Sequence, residues 1–145
     1  MNTRKAIFPV NPHALYAQHG YSPAILSGDL LFVSGMVGAR KDGTPEPDLA
    51  TQIQLAFDNL QEVLAAASCT FDNVVDLTFF LIDPDASVGL TLEAMNKAFT
   101  SEPRPNVTAV GVNWLAGFQV EIKVIARIPA YPQPGNDNGG AQPAL

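Results

Sequence analysis

Hydrophobic positions along the chain change their period several times, and each change predicts an element. Two short apolar runs, Ala24–Leu26 and Leu30–Ser34, flank Ser27-Gly28-Asp29. Turn-forming residues between β-prone segments predict a hairpin. From Asp48 the spacing becomes helical: Leu49, Ile53, Phe57, Leu60 and Leu64 recur every three or four residues. Asp48 is a good N-cap, and the helix is expected to end near Ser68. Val74–Ile82 is a β-rich run and predicts a central strand. Asp83-Pro84-Asp85 then caps a second helix, with Val88, Leu92, Met95 and Phe99 as its expected buried stripe; Pro103 and Pro105 stop it. Asn106–Val112 predicts a strand and Asn113–Gly117 a turn. Phe118–Ile128 predicts a long strand. Val120, Ile122, Val124, Ala126 and Ile128 share one of its faces, and Gln119, Glu121, Lys123 and Arg127 the other.

The order strand-strand-helix-strand-helix-strand-strand predicts an α+β domain over residues 1–130, a mixed sheet with both helices on one face. The strands are apolar on both sides, so the second face is expected to be covered by another subunit. Beyond Pro129 the chain is dominated by Pro, Gly, Asn and Gln. That composition predicts a disordered tail over residues 131–145. No internal repeat and no Gly-rich phosphate loop is present.

Composition narrows the function. The chain has 145 residues, enough for one domain with a real core. Apolar residues make up 47% and charged residues only 15%, a balance that favours an oligomer. The net charge of -6 and the scattered Lys and Arg argue against nucleic-acid binding. Cys69 is the single cysteine, so no intrachain disulfide or Cys-based metal site forms; it reads as a small buried hydrophobe. No apolar run approaches the roughly 20 residues of a membrane span, and Met1–Val10 lacks a signal-peptide core, so the expected location is cytoplasmic.

Candidate chemistry is sparse. His13 and His19 lack metal-ligand spacing and read as surface histidines. Glu121 is more informative, because a carboxylate in the middle of a central strand costs several kcal/mol if buried unpaired. It either pairs with Lys123 or another side chain, or it holds water or a ligand. Tyr21, in His19-Gly20-Tyr21-Ser22-Pro23, either projects its hydroxyl into a cleft or packs in the core. Ser34-Gly35 ends the second strand, where a glycine admits a ligand to the backbone or simply makes the turn.

These residues resemble the RidA (YjgF/UK114) family over roughly Tyr16 to Ile128. Tyr21-Ser22-Pro23-Ala24 is similar to the family's Pro-Tyr-Ser-x-Ala segment, and Leu31–Gly35 to its hydrophobic-Ser-Gly strand end. Asn59-Leu60 falls on its first long helix. Val120-Glu121-Ile122 and Val124-Ile125-Ala126 match its closing V-E-I-E-A-I-A pattern. The resemblance implies a chorismate-mutase-like fold, a homotrimer with clefts between subunits, a small-molecule ligand and no cofactor or metal. It also implies hydrolytic deamination: an enamine tautomerises to an imine, and water attacks the C=N carbon to release ammonia. Glu121 and Tyr21 are the implied catalytic pair, with Glu121 handling water; Ser34 and Gly35 shape the cleft.

The chain departs from the family at the substrate-binding arginine. The pattern Pro-x-Arg-Thr-x-Val aligns with Pro105-Asn106-Val107-Thr108-Ala109-Val110, which puts Val107 at the arginine position and Ala109 beside it. Sliding Arg104 onto the motif loses the Thr-x-Val match and adds residues to the final turn; Arg104, just before Pro105, remains a candidate substrate-binding residue if it reaches the cleft. Met36 stands where Gln is frequent, and Glu93 where an Asn on the second helix commonly lines the cleft. Losing the arginine removes a bidentate clamp for a carboxylate. The alternative is therefore a trimer that binds a small metabolite without turning it over. Ribonuclease activity, sometimes attached to this family, is disfavoured by the acidic charge and the absent His pair.

Overall fold

The computed structural model describes residues 3–129, and the Pro/Gly-rich tail expected to be disordered lies outside them. The first two strands after the N-terminal segment, β2 (Ala24–Ser27) and β3 (Leu30–Val33), form the predicted hairpin. Gly28 sits at φ 63°, as the first central position of a two-residue hairpin turn requires. Two elements near the N-terminus were not legible in the sequence. Strand β1 (Arg4–Ile7) adds an antiparallel edge to β2, and a short helix α1 (Leu15–His19) follows it. Neither has enough residues to show a period.

The long helix α2 (Leu49–Ala66) starts as expected, with Asp48 accepting from the Thr51 amide at 3.0 Å. It buries Ile53, Phe57, Leu60 and Leu64 against the sheet. Burial of side chains of this size contributes about 1.5–3 kcal/mol each. Strand β5 (Val74–Leu81), helix α3 (Pro84–Ala98) and strand β6 (Asn106–Gly111) make a parallel β-α-β unit, and β7 (Val120–Arg127) closes the sheet. The sheet order is β1-β2-β3-β7-β5-β6. Helices α2 and α3 pack on one face of it, over Leu31, Val33, Leu77, Phe79, Leu81, Val120, Ile122, Val124 and Ala126.

The buried stripe of α3 differs from the expected one. Phe99 is buried and Val88 and Met95 are half-buried, but Leu92 is 38% exposed, and Ser87 and Thr91 are buried in its place. The buried line of the helix runs through Ser87, Thr91 and Met95 at i, i+4 spacing, so Leu92 alone of the expected stripe turns out to solvent. Strand β6, at the edge of the sheet, is exposed at every residue.

The feature that positions the site is a break between β3 and a two-residue strand β4 (Met36–Val37). Both pair with β7: Phe32 lies opposite Ile125, and Met36 opposite Ile122. Val33 and Met36 are three residues apart yet both point into the core. In a regular strand that parity is impossible, so Ser34-Gly35 carries an inserted residue, a bulge.

Candidate active site

Strand β7 is central, so its even-numbered residues enter the core and its odd-numbered ones face the side without helices. Glu121 and Lys123 are both half-buried on that open face. The flanking strands place Val37 and Phe80 beside Glu121 and Thr78 beside Lys123. The Glu121 carboxylate extends over the bulge. A Cβ built on Gly35 would stand 2.3 Å from Glu121 Cδ, so the carboxylate occupies the space a side chain there would need.

Lys123 does not pair with Glu121. Its ammonium donates to the carbonyl of Val33, an acceptor freed by the bulge. Among the described residues no hydrogen bond or ion pair reaches the Glu121 carboxylate. Burial therefore pushes its pKa above the usual carboxylate range, with the nearby Lys123 charge pulling partly the other way. Lys123 is lowered by its own burial, and Glu121 opposes that shift.

Tyr21 closes one side. Its pKa is raised first by burial and then by the Glu121 charge, so its hydroxyl stays protonated and available as a donor. The loop that carries it is tied to the bulge: Ser34 Oγ donates to the Ser22 carbonyl at 2.7 Å, and the Ser34 amide donates to Pro23 at 2.9 Å. Ser34 thus anchors the tyrosine loop. Tyr21 also meets Tyr16 edge-on at 5.2 Å, and Tyr16 stacks on His13 at 4.2 Å. The expectation that His13 is a surface residue is corrected here: it is 6% exposed, because Tyr16 covers its ring. His19 is exposed, as expected. Among the described residues no group of His, Cys, Asp and Glu could hold a metal ion.

Glu121 and Tyr21 line a cleft of about 410 Å³. Its other walls are Val37 and Phe80 from the sheet, Leu15 and His19 from α1, and Val112, Trp114, Leu115 and Phe118 from the segment before β7. The sequence reading missed this apolar wall, since residues 113–117 show only a turn. Its one available signal was the chain's single tryptophan within that turn. Gln52 fixes the base of the wall: its side chain accepts from the Gln119 amide at 2.8 Å and donates to the Glu46 carbonyl at 2.8 Å.

The remaining candidates lie elsewhere in the chain. Val107 is level with Leu77 and Ala109 with Phe79, so both sit on the helix side of the sheet, opposite to Glu121; Thr108 and Val110 are on its own side. Arg104 borders a separate groove with Phe71 and Phe99, paired to Glu102 at 3.2 Å and to Asn96 at 3.4 Å. Glu93 is on the outer surface between α2 and α3, paired to Lys97 at 3.3 Å. Within a single chain, then, Glu121, Tyr21, Ser34 and Gly35 come together, and Glu93, Arg104, Val107 and Ala109 do not join them.

The sequence profile described as Endoribonuclease L-PSP matches residues 11–128. The chain is 60% identical to the RutC family protein YjgH of Escherichia coli (strain K12), over 89% of this chain and 98% of that protein. It is 35% identical to the 2-iminobutanoate/2-iminopropanoate deaminase of Rattus norvegicus, over 73% of this chain and 78% of that one. A solved structure of protein YjgH, 58% identical, superposes with a TM-score of 0.86 over 90% of this chain and all of that one.

Proposed function

The chain belongs to the endoribonuclease L-PSP family, the RidA/YjgF family, and on that premise we propose that it hydrolyses a reactive imine or enamine, releasing ammonia. The observation that carries this reading is the Glu121 carboxylate, half-buried in an apolar cleft with no donor of its own. A carboxylate left short of partners is held ready for a water or a substrate proton. In the proposed reaction a water bound to Glu121 gives up a proton to it. The water oxygen bonds to the C=N carbon, and the π electrons move to nitrogen. The Glu121 proton then passes to that nitrogen, giving a carbinolamine; Glu121 next takes the proton of the new hydroxyl and delivers it to the same nitrogen, so that the C–N bond breaks, the carbonyl forms and ammonia leaves. Tyr21, held protonated, donates to the nitrogen or to the incoming oxygen. No step calls on a cofactor.

The same reading includes a homotrimer in which the open sheet face is covered by neighbouring copies. That face carries Phe32, 39% exposed, and Val110, also 39% exposed. Clefts between copies are also the setting in which Val107 and Ala109 would come near a Glu121. The binding-only alternative rests on one observation, the valine at position 107 where the family carries its carboxylate-binding arginine. Steady-state ammonia release from freshly generated imines separates the two. Hydrolysis predicts turnover that falls by roughly 10²-fold in Glu121→Gln, which is nearly isosteric but cannot take a proton. Turnover undiminished in that variant would sink the catalytic role; no turnover with any imine, alongside saturable binding, would favour the alternative. In Val107→Arg, restored affinity for 2-imino acids is the expected companion result.

A further inference from the structure

The charge of the cleft is unlike that of a carboxylate-binding site. Its walls are aromatic and aliphatic, from Phe80, Trp114, Leu115 and Phe118. No Lys or Arg lines it among the described residues. The one cation near Glu121 is Lys123, and its ammonium is engaged with the Val33 carbonyl. Arg104 is held by Glu102 and Asn96 in a different groove. Val107 stands where the resemblance places the family's arginine, so that carboxylate clamp is missing. Among the described residues the ionisable groups on its walls are the unpartnered Glu121 carboxylate, the Tyr21 phenol and the exposed His19 imidazole, set among ring faces that attract cations.

We infer that this cleft takes a cationic ligand with an apolar body and no carboxylate: an iminium or primary ammonium on an aryl or alkyl group. A ligand carboxylate beside Glu121 meets like-charge repulsion that the neutral Tyr21 hydroxyl offsets only in part. A ligand ammonium or iminium supplies the missing partner, as a charge-assisted hydrogen bond to a half-buried carboxylate. The volume of about 410 Å³ accommodates one ring with a short chain. This deepens the hydrolysis reading and rests on it for the reaction alone. The reaction balances as a protonated imine plus water giving a carbonyl compound plus ammonium. The charge preference rests on the wall residues, whether or not turnover follows.

Trp114, the only tryptophan of the chain, is on the cleft wall and 74% exposed, so its fluorescence reports occupancy directly. The experiment titrates the oligomer with phenethylammonium and, in parallel, with the near-isosteric 3-phenylpropanoate, near neutral pH and at fixed ionic strength. The ammonium is expected to bind at least 10-fold more tightly, a preference that shrinks to less than 3-fold in Glu121→Gln. Equal or tighter binding of the carboxylate overturns the inference, as does a preference that survives in a folded Glu121→Gln, or failure of both probes to bind at millimolar concentration. The parent-protein comparison decides the matter even if the variant is insoluble. Ammonium preference without ammonia release from any imine would fail the hydrolysis reading and leave this inference standing. Turnover of anionic 2-imino acids with tighter carboxylate binding would do the reverse.

Discussion

Glu121 stands directly over the α-carbon of Gly35, with its carboxylate oxygens 2.6 and 2.7 Å from where a Cβ would be. The absent side chain of one residue is therefore the seat of the other's functional group. The arrangement depends on the bulge, because only an inserted residue brings Gly35 beneath an outward-facing side chain of β7.

Gly35→Ala is expected to displace the carboxylate rather than unfold the protein, since the colliding atoms are the far end of a flexible side chain. Turnover should fall by about 10-fold or more, with the melting temperature changed by only a few degrees. Gly38→Ala provides the contrast. A Cβ there would stand 2.1 Å from the backbone oxygen of Gln52, inside α2, which cannot step aside. Its expected cost is about 2 kcal/mol or more in denaturant unfolding. Equal destabilisation by the two substitutions would contradict this account.

Glu121 should make stability depend on pH in a defined direction. Its folded pKa is raised by burial, so the folded state holds this proton more tightly than the unfolded chain. Its contribution to stability is intact below the ordinary carboxylate range and is lost as pH rises through the folded pKa. Glu121→Gln removes that loss. Thermal unfolding across pH should therefore find the variant more stable than its parent near neutrality, with the gap closing below about pH 4. A gap that widens on acidification would show that Glu121 is stabilised by a partner.

Ser34→Ala removes the tie between the bulge and the Tyr21 loop. The loss of one part-buried hydrogen bond should cost about 1 kcal/mol. If Ser34 acts by holding Tyr21, the variant should also bind phenethylammonium more weakly while keeping its preference over the carboxylate. An unchanged affinity would assign Ser34 to stability alone.

The open sheet face should be covered in solution. Sedimentation equilibrium at micromolar concentration is expected to give a mass three times that of the 15.4 kDa chain. Val110→Glu, which places a charge on that face beside Phe80, should shift the protein toward smaller species. A parent protein sedimenting as a single chain would remove the trimer from the proposal.

Much of this molecule follows from local pattern. The hairpin around Gly28, the two long helices and the alternation of β7 are each specified within a window of about ten residues, because side-chain period and turn chemistry are local properties. The same alternation put Glu121 on the face opposite Val120 and Ile122, and the closing motif tied it to a family. Cys69 was also legible as a small buried residue, and it is 4% exposed. What the sequence left undecided was relational. Whether Glu121 pairs with Lys123 depends on the carbonyl of Val33, 90 positions away, and on the bulge that frees it. The burial of Ser87 and Thr91 on α3 depends on which face of that helix meets the rest of the fold, which its own apolar period does not report. That Val107 lies across the sheet from Glu121 follows from the parallel register of β6 on β5, and registers are set by long-range packing. The apolar wall around Trp114 exists only when α1, the turn at residues 113–117 and the centre of the sheet converge, so no single segment of the chain carries its signature.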